Sequence, residues 1–149
     1  MSTKNRVVLH EAFVHLIRHF IAGTILYNQQ VADRVGLHLT DMQCMNVLEL
    51  LGPATPGQLA KCTGLTTGGV TVMLDRLEKA GYVRRAPNPK DRRSVLVEIR
   101  PEKLESLHAF YGEINKNLDA FLAATPEPEL RTVIRFFTRM NKLRTESAQ

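Results

Sequence analysis

The strongest constraint on the fold is a pair of short helices, joined by a glycine turn, that leads directly into two β-type segments. Thr55–Gln58 has the residues of a capping box with proline at the first helical position, which predicts a short helix to about Cys62. After the turn at 63–65, Thr66 or Thr67 caps a second helix, and Gly81 ends it because glycine is common just past a helix C-terminus. Two helices in this order form a helix-turn-helix.

Two short runs of β-forming residues, Tyr82–Ala86 and Val95–Ile99, follow the second helix. The loop between them, Pro87–Ser94, is polar and longer than a tight turn requires. We therefore predict a β-hairpin directly behind the second helix, which is the arrangement of a winged helix.

Helical periodicity also fills the first third of the chain. Residues from about Val7 to Val35 predict one long or kinked helix, which Gly36 ends. Its apolar positions are Phe13, Ile17, Phe20, Ile21, Ile25 and Val31. Thr40–Gln43 is a second capping-box sequence and predicts a helix that stops at Gly52. The apolar face of that helix is predicted to hold Met45, Leu48 and Leu51.

Two further amphipathic helices follow the hairpin. The first has apolar residues at Leu104, Leu107, Tyr111, Ile114, Leu118 and Phe121, and the second at Leu130, Val133, Ile134, Phe137 and Met140. They are more apolar than a small winged helix needs, so we expect them to form a subunit interface together with the first helix. The predicted fold is mainly α with a small β-hairpin wing. Residues 1–35 and 101–149 form the dimerisation region, and residues 36–100 form the winged helix-turn-helix domain.

Length and composition agree with a globular protein. A chain of 149 residues suits one domain with dimerising extensions, and its 44% hydrophobic and 23% charged residues are ordinary for such a domain. It has no apolar run near the roughly 20 residues that span a bilayer, and its start is unlike a signal peptide, so we expect a cytoplasmic protein without membrane contact. Cys44 and Cys62 fit no metal-binding spacing, and we expect both to be small buried residues.

The positive charge is confined to the helix-turn-helix and the hairpin. Residues 55–100 hold nine Lys and Arg against four Asp and Glu, whereas the rest of the chain has eleven of each. The formal net charge of +5 therefore belongs to this segment alone. A local basic surface of this kind is typical of a protein that binds a polyanion.

These features resemble the MarR family of bacterial transcriptional regulators. The similar segments follow one another in the same order as in the family and cover essentially the whole chain. The most specific similarity is Asp75-Arg-Leu-Glu-Lys-Ala-Gly-Tyr-Val83, together with Asp91-x-Arg93. The resemblance implies a triangular homodimer with interlocked terminal helices, whose two winged helices bind a palindromic operator in double-stranded DNA. It also implies release by a small effector, a recognition helix at Thr66–Lys79, and a wing arginine, Arg93, that enters the minor groove and is steadied by Asp91.

The residues themselves suit these roles. Short hydroxyls beside two glycines would let the backbone of the helix start approach phosphates or base edges. Basic wing residues would contact phosphates, and a narrow minor groove attracts arginine. The predicted DNA-binding residues are Thr66, Thr67, Gly68, Gly69, Thr71, Arg76, Arg84, Arg85, Lys90, Asp91, Arg92 and Arg93.

Simpler interpretations of these residues stay open. The two glycines also suit a crowded turn at the helix start, and Arg76 also suits a solvated pair with Asp75 or Glu78. Some of the wing bases would then belong to a solvated strand face.

A ligand site is harder to predict. His15, Arg18 and His19 share one helical face and suit an anionic or phenolic effector, although a solvated face gives the same pattern. The resemblance places His38 and His108 where zinc-responsive relatives hold metal, but Gly112 stands where another histidine is needed, so we expect no metal and no cofactor. Redox sensing through Cys44 or Cys62 is a further alternative.

Two other classes of function are alternatives. An enzyme is disfavoured because the sequence has no Gly-x-Ser-x-Gly motif and no phosphate-binding glycine loop. We therefore expect that the protein has no enzymatic activity. A winged helix that binds protein or RNA without an effector would not need an arginine-tipped wing with an adjacent aspartate.

Overall fold

The computed structural model describes the backbone of residues 3–146 and the side chains of residues 5–143. Its elements in chain order are α1 (Thr3–Val35), α2 (Leu39–Leu51), α3 (Pro56–Thr63), α4 (Thr67–Lys79), β1 (Val83–Pro87), β2 (Val95–Ile99), α5 (Pro101–His108), α6 (Gly112–Ala124) and α7 (Glu127–Glu146). A 3₁₀ turn at Ala109–Tyr111 separates α5 from α6, where the sequence pattern predicted one continuous helix. The mainly helical fold with a β-hairpin is confirmed. The chain divides into two compact units, the first ending at Ser106 and the second beginning at Leu107.

The helix-turn-helix forms from the predicted local signals. Thr55 Oγ1 accepts the Gln58 backbone N–H at 3.3 Å, and Gln58 Oε1 accepts the Thr55 N–H at 2.8 Å, which completes the capping box of α3. Thr66 caps α4, and Gly81 follows the end of α4 with φ +80°, a conformation that glycine adopts at little cost. These two helices confirm the predicted arrangement.

The start of α2 differs from the prediction. The helix is capped at His38, whose backbone N–H donates to Asp41 Oδ2 at 2.8 Å, so Thr40 lies inside the first turn instead of ahead of it. The predicted apolar face also ends early, because Leu48 is buried whereas Leu51 is 61% exposed. Asp41 takes the role that the sequence pattern gave to Gln43, since the helix begins two residues sooner.

The core of the first unit lies among α2, α3, α4 and the hairpin. Its fully buried side chains come from every one of these elements and from the end of α1. They include Val31, Met42, Met45, Leu59, Val70, Met73, Leu74, Leu77, Val83 and Val97. Burial of this set fixes α4 against α2 and places the opposite face of α4 in solvent.

The hairpin is antiparallel, and Val83 pairs with Ile99, Arg85 with Val97 and Pro87 with Val95. Ala54, just ahead of α3, forms an isolated β-bridge with Val97 in the middle of β2, which the sequence pattern did not reveal. The Val97 N–H donates to the Ala54 carbonyl at 2.8 Å, and the Ala54 N–H donates to the Val97 carbonyl at 3.2 Å. This bridge attaches the hairpin to the segment between α2 and α3.

Large apolar side chains remain exposed on both units. In α1 they include Val7, Leu9, Leu16, Phe20, Ile21 and Leu26. In the second unit they include Ile114, Leu118, Phe121, Val133, Ile134, Phe136 and Leu143. No helix within the described residues is apolar over a length that would cross a membrane. Apolar surface on this scale is typical of a protein–protein interface.

Candidate nucleic-acid interface

The first turn of α4 presents short polar side chains and bare backbone. Thr66, Thr67, Gly68 and Thr71 are exposed. Thr66 Oγ1 accepts the Gly69 N–H at 3.1 Å, and the Thr71 hydroxyl donates to the Thr67 carbonyl at 3.0 Å. The start of a helix carries unsatisfied N–H groups and a partial positive charge, which favour an anion at this position.

The two glycines of this turn are explained differently. A methyl group at Gly69 would lie 3.3 Å from Thr66 Oγ1 and 3.6 Å from Leu65 Cβ, so a crowded turn accounts for this glycine. A methyl group at Gly68 would meet nothing within 4 Å. Packing inside the chain therefore gives no reason for Gly68, which helix propensity disfavours by about 1 kcal/mol relative to alanine.

Sequence reasoning missed Val72, which lies on the same outward face of α4. Its side chain is 62% exposed although it stands in the middle of a helix whose other large apolar residues are buried. The available signal was its position, because Val72 falls off the core face formed by Val70, Leu74 and Leu77. An exposed apolar side chain on such a face suits contact with the methyl group of thymine.

Arg76 is tied to α2. Its Nε donates to Asp41 Oδ2 at 2.8 Å and its Nη2 donates to Asp41 Oδ1 at 2.6 Å. Asp41 is fully buried, whereas the Arg76 side chain is 32% exposed. The hydrogen bond to Asp41 raises the pKa of Arg76. Neither of the acids expected on sequence grounds, Asp75 and Glu78, is the partner of Arg76, because the α2 carboxylate reaches it across the core.

Arg85 is also paired, in this case with α4. Its Nη2 donates to Asp75 Oδ1 at 2.6 Å, its Nη1 donates to Glu78 Oε2, and its backbone N–H donates to Glu78 Oε1 at 3.1 Å. These contacts, the hydrogen bond to Asp75 first, raise the pKa of Arg85. Arg84, its neighbour on the strand, donates from Nε to Glu98 Oε2 at 2.9 Å across the hairpin and stays 63% exposed.

The wing tip is shaped by short-range hydrogen bonds. Asn88 Nδ2 donates to Ser94 Oγ at 2.8 Å, and Asn88 Oδ1 accepts the Lys90 N–H at 3.0 Å. Asp91 Oδ1 accepts the backbone N–H of Arg93 at 3.0 Å. We expected Asp91 to hold the Arg93 guanidinium, but among the described residues no ion pair joins them. The carboxylate instead stabilises the turn that carries Arg93.

The tip bases differ from the strand bases in their surroundings. Lys90, Arg92 and Arg93 are exposed, and within the described part of the chain none of them has an ion-pair partner. They are therefore available to an external anion, whereas Arg76, Arg84 and Arg85 already form ion pairs with carboxylates of the same chain.

The predicted effector residues lie on the surface of α1. His15, Arg18 and His19 are exposed and line an open depression whose other described lining residues are His10, Glu11, Val14 and Ala22, all on the same helix. The residues that the structure describes include no group of three or more His, Cys, Asp or Glu that suits a metal.

The two cysteines prove unlike each other. Cys44 is buried, and burial together with the charge of Asp41 raises its pKa to about 12. Cys62 is exposed, so the expectation that it is buried was wrong. In a helix of eight residues, two turns give too little periodicity to decide which face is outward.

A capped helix-turn-helix, a hairpin behind it and a tip whose basic side chains have no ion-pair partner among the described residues define a winged helix-turn-helix protein. Comparison with known proteins gives the family. The family profile described as "MarR family" matches residues 35–94. The chain is 36% identical to the uncharacterised HTH-type transcriptional regulator YcgE of Bacillus subtilis over 137 residues, covering 91% of this chain and 89% of that protein. It is 35% identical to the multiple antibiotic resistance protein MarR of Salmonella typhimurium over 103 residues, or 64% and 72% of the two chains.

A solved structure shows the same fold. The crystal structure of wild-type MarR in its apo form from E. coli is similar with a TM-score of 0.60 and 22% identity, covering 85% of this chain and 93% of that chain. The protein belongs to the MarR family of DNA-binding transcriptional regulators, a family of regulators and not of enzymes.

Proposed function

We propose that this regulator binds a palindromic operator as a homodimer, with one winged helix on each half-site, and that it acts as a repressor in the cytoplasm. The single observation that carries the proposal is the combination, within one compact unit, of an α4 face with exposed short side chains and a wing tip whose basic side chains form no ion pair in the described part of the chain. These features match the two grooves of DNA in size, because α4 suits the wide major groove and a single arginine suits the narrow minor groove.

The predicted contacts divide into three groups. Thr66, Thr67, Gly68, Gly69 and Thr71 would meet phosphates or base edges from the start of α4, with Val72 added as an apolar contact. Arg84 on β1 would meet phosphate, and Lys90, Arg92 and Arg93 would meet phosphates and the minor groove from a tip shaped by Asp91. Arg76 and Arg85 would act on DNA through the position of α4 and the wing, since both are ion-paired and mostly covered, whereas the ion-paired Arg84 stays 63% exposed.

The dimer is proposed from apolar surface. Exposed Phe20 and Leu16 of α1, and Phe121 and Ile134 of the second unit, would be sheltered by a second copy of the chain. Light scattering at micromolar concentration should give twice the 16.8 kDa of one chain. A 16.8 kDa species at that concentration would contradict the dimer.

Release by a small effector is proposed from α1. His15, Arg18 and His19 offer imidazole and guanidinium donors to a carboxylate or phenol, and the depression that they line is open to solvent. We expect small aromatic carboxylates to weaken operator binding, and Arg18→Ala to remove that response without changing binding in its absence. An unchanged response in Arg18→Ala would place the effector elsewhere.

The experiment that tests DNA recognition is selection of an operator from a random duplex library, followed by footprinting. We expect an inverted repeat whose half-sites are about one helical turn, roughly 34 Å, apart. Binding should weaken steeply between about 50 and 200 mM salt, as phosphate contacts require. Failure to enrich any sequence, with RNA or protein bound instead, would favour the alternative of a winged helix that contacts other macromolecules.

A further inference from the structure

We propose that Arg85 is a positioning residue that fixes the wing against α4, and that it does not contact DNA phosphate itself. The inference rests on the proposed function, because it concerns how the two DNA-binding elements are held together. The three residues involved are Arg85 on β1 and the two α4 acids, Asp75 and Glu78. We call this group the wing clamp.

Arg85 makes three hydrogen bonds to α4 in the wing clamp. Two different guanidinium nitrogens reach two different carboxylates, Nη2 to Asp75 at 2.6 Å and Nη1 to Glu78. The backbone N–H of Arg85 adds a third hydrogen bond, to the second oxygen of Glu78, at 3.1 Å. Asp75 and Glu78 are three positions apart and therefore lie on one face of the helix. One residue of the wing is thus fixed by side chain and backbone together.

The position of the wing clamp along the hairpin matters. Arg85 pairs with Val97 across the two strands, and Val97 in turn exchanges two hydrogen bonds with Ala54. The same rung is therefore held from both edges, by Glu78 beside β1 and by Ala54 beside β2. β1 continues for only two residues beyond Arg85, to Pro87, and the turn that carries Lys90 follows directly. A rotation of the hairpin at this rung would therefore displace the basic tip.

The charges make Arg85 a poor phosphate contact. Its single positive charge faces two carboxylates, and its side chain is only 29% exposed. A phosphate that approached this guanidinium would also approach Asp75, which is 60% exposed. The exposed bases of the tip, in contrast, form no ion pair with a carboxylate among the described residues. Arg85 therefore neutralises acids on the DNA-facing helix and holds the wing at a fixed angle to it.

The first test asks whether Glu78→Ala strengthens or weakens operator binding. Glu78→Ala removes a negative charge near DNA, so simple electrostatics predicts tighter operator binding. The wing clamp predicts the opposite, about tenfold weaker binding, because the wing loses its anchor. The matched control is Glu102→Ala, which removes an exposed acid of the same unit outside the wing clamp and should leave affinity unchanged or slightly higher. Tighter binding by Glu78→Ala would overturn the proposal.

The second test separates position from contact. A lysine can replace an arginine at a phosphate, but one ammonium cannot span two carboxylates in the same way. We expect Arg85→Lys and Arg85→Ala to weaken operator binding alike, with the slope of log affinity against log salt unchanged. Lys90→Ala should reduce that slope by about 0.9 per subunit, as a lost phosphate contact does. Wild-type affinity in Arg85→Lys, with a reduced slope in Arg85→Ala, would make Arg85 a phosphate contact.

A third measurement needs no DNA and so distinguishes failure of the wing clamp from failure of the proposed function. In Arg85→Lys and Glu78→Ala, backbone amides of β1 and β2 should exchange hydrogen at least tenfold faster, while those of α2 and α3 keep wild-type rates. Unchanged exchange in the wing would overturn the proposal even if DNA binding were lost. Faster exchange in a protein that binds no duplex would support the wing clamp and refute operator binding.

Discussion

The buried carboxylate of Asp41 accepts two hydrogen bonds from the Arg76 guanidinium and so joins the start of α2 to the middle of α4. The same carboxylate accepts the His38 N–H that begins α2. One side chain therefore caps one helix and orients another. The α4 face that carries the residues proposed to bind DNA is turned outward by the core and held in register by this ion pair.

Removing either member of the pair should destabilise the fold. Arg76→Ala leaves a buried charge without its partner, which costs about 3–5 kcal/mol in buried pairs, and partial exposure of Arg76 brings our expectation to about 2–3 kcal/mol. Asp41→Ala loses the helix cap as well. The double variant should be less destabilised than the sum, with a coupling of about 1–3 kcal/mol.

Urea unfolding at one fixed protein concentration measures these changes, since subunit association shifts the midpoint. Additive single effects would show that the two side chains do not support each other.

Local signals explain which parts of this fold could be predicted. The caps at Thr55 and Thr66 and the glycine at 81 depend on neighbours within four residues, and all were confirmed. The partners of Arg76 and Arg85 depend on which faces of α2, α4 and β1 meet in the core. Asp41 is 35 residues from Arg76, so no spacing rule reveals the pair.

The same reasoning applies to the wing. The hairpin strands were predicted from their β-forming residues, but the bridge between Ala54 and Val97 was not, because one paired residue leaves no pattern in the sequence. The alternation of Val95, Val97 and Ile99 in the sequence predicts that these three side chains share one face of β2. Yet only Val97 is fully buried, and Val95 is 39% exposed because it lies toward the projecting tip.

The two glycines of α4 should respond differently to alanine. Gly68→Ala should stabilise the protein by up to about 1 kcal/mol, because its methyl group meets no atom and alanine favours the helix. It should nevertheless weaken operator binding, since the methyl group stands on the face proposed to approach DNA. Gly69→Ala should gain less stability, because its methyl group lies 3.3 Å from Thr66 Oγ1. Thermal unfolding and fluorescence anisotropy on the same samples test this, and wild-type affinity in Gly68→Ala would move the DNA contact away from this turn.

Val72 should read a thymine methyl group. Replacing thymine by uracil removes only that methyl group, and loss of one such contact costs about 0.8 kcal/mol, roughly fourfold in affinity. Uracil at one thymine of each half-site should therefore weaken wild-type binding, whereas Val72→Ala should bind both operators equally. Leu50→Ala, which alters an 84% exposed side chain on α2, should retain the wild-type sensitivity to uracil. If uracil weakens binding by Val72→Ala as much as it weakens wild-type binding, Val72 does not contact the thymine methyl group.

The cysteines should differ in reactivity. Cys44 stays a protonated thiol at neutral pH because burial raises its pKa to about 12, whereas Cys62 is accessible. A thiol reagent at pH 8 should modify Cys62 within minutes and Cys44 only after denaturation, as read by mass spectrometry of peptides. Because the folded-state pKa of Cys44 is raised, the stability from its protonated form is complete below about pH 9 and declines as pH rises toward 12. Modification of Cys44 in the native protein at pH 8 would support the alternative that Cys44 is a redox sensor.

Substitutions at the wing tip should show whether Asp91 serves the turn or the guanidinium. Asp91 accepts the Arg93 N–H at 3.0 Å, a role that an asparagine side-chain oxygen also fills. Asp91→Asn should therefore keep wild-type operator affinity or exceed it, since it also removes a negative charge beside the phosphates. Asp91→Ala should weaken binding, because the turn loses its acceptor, and Arg93→Ala should weaken it by about 1–3 kcal/mol per site. Arg93→Ala should also reduce the preference for A·T pairs beside the half-sites, because a minor-groove arginine responds to groove width. Equal losses in Asp91→Asn and Asp91→Ala would mean that the charge itself, and hence an ion pair formed on DNA, orients Arg93.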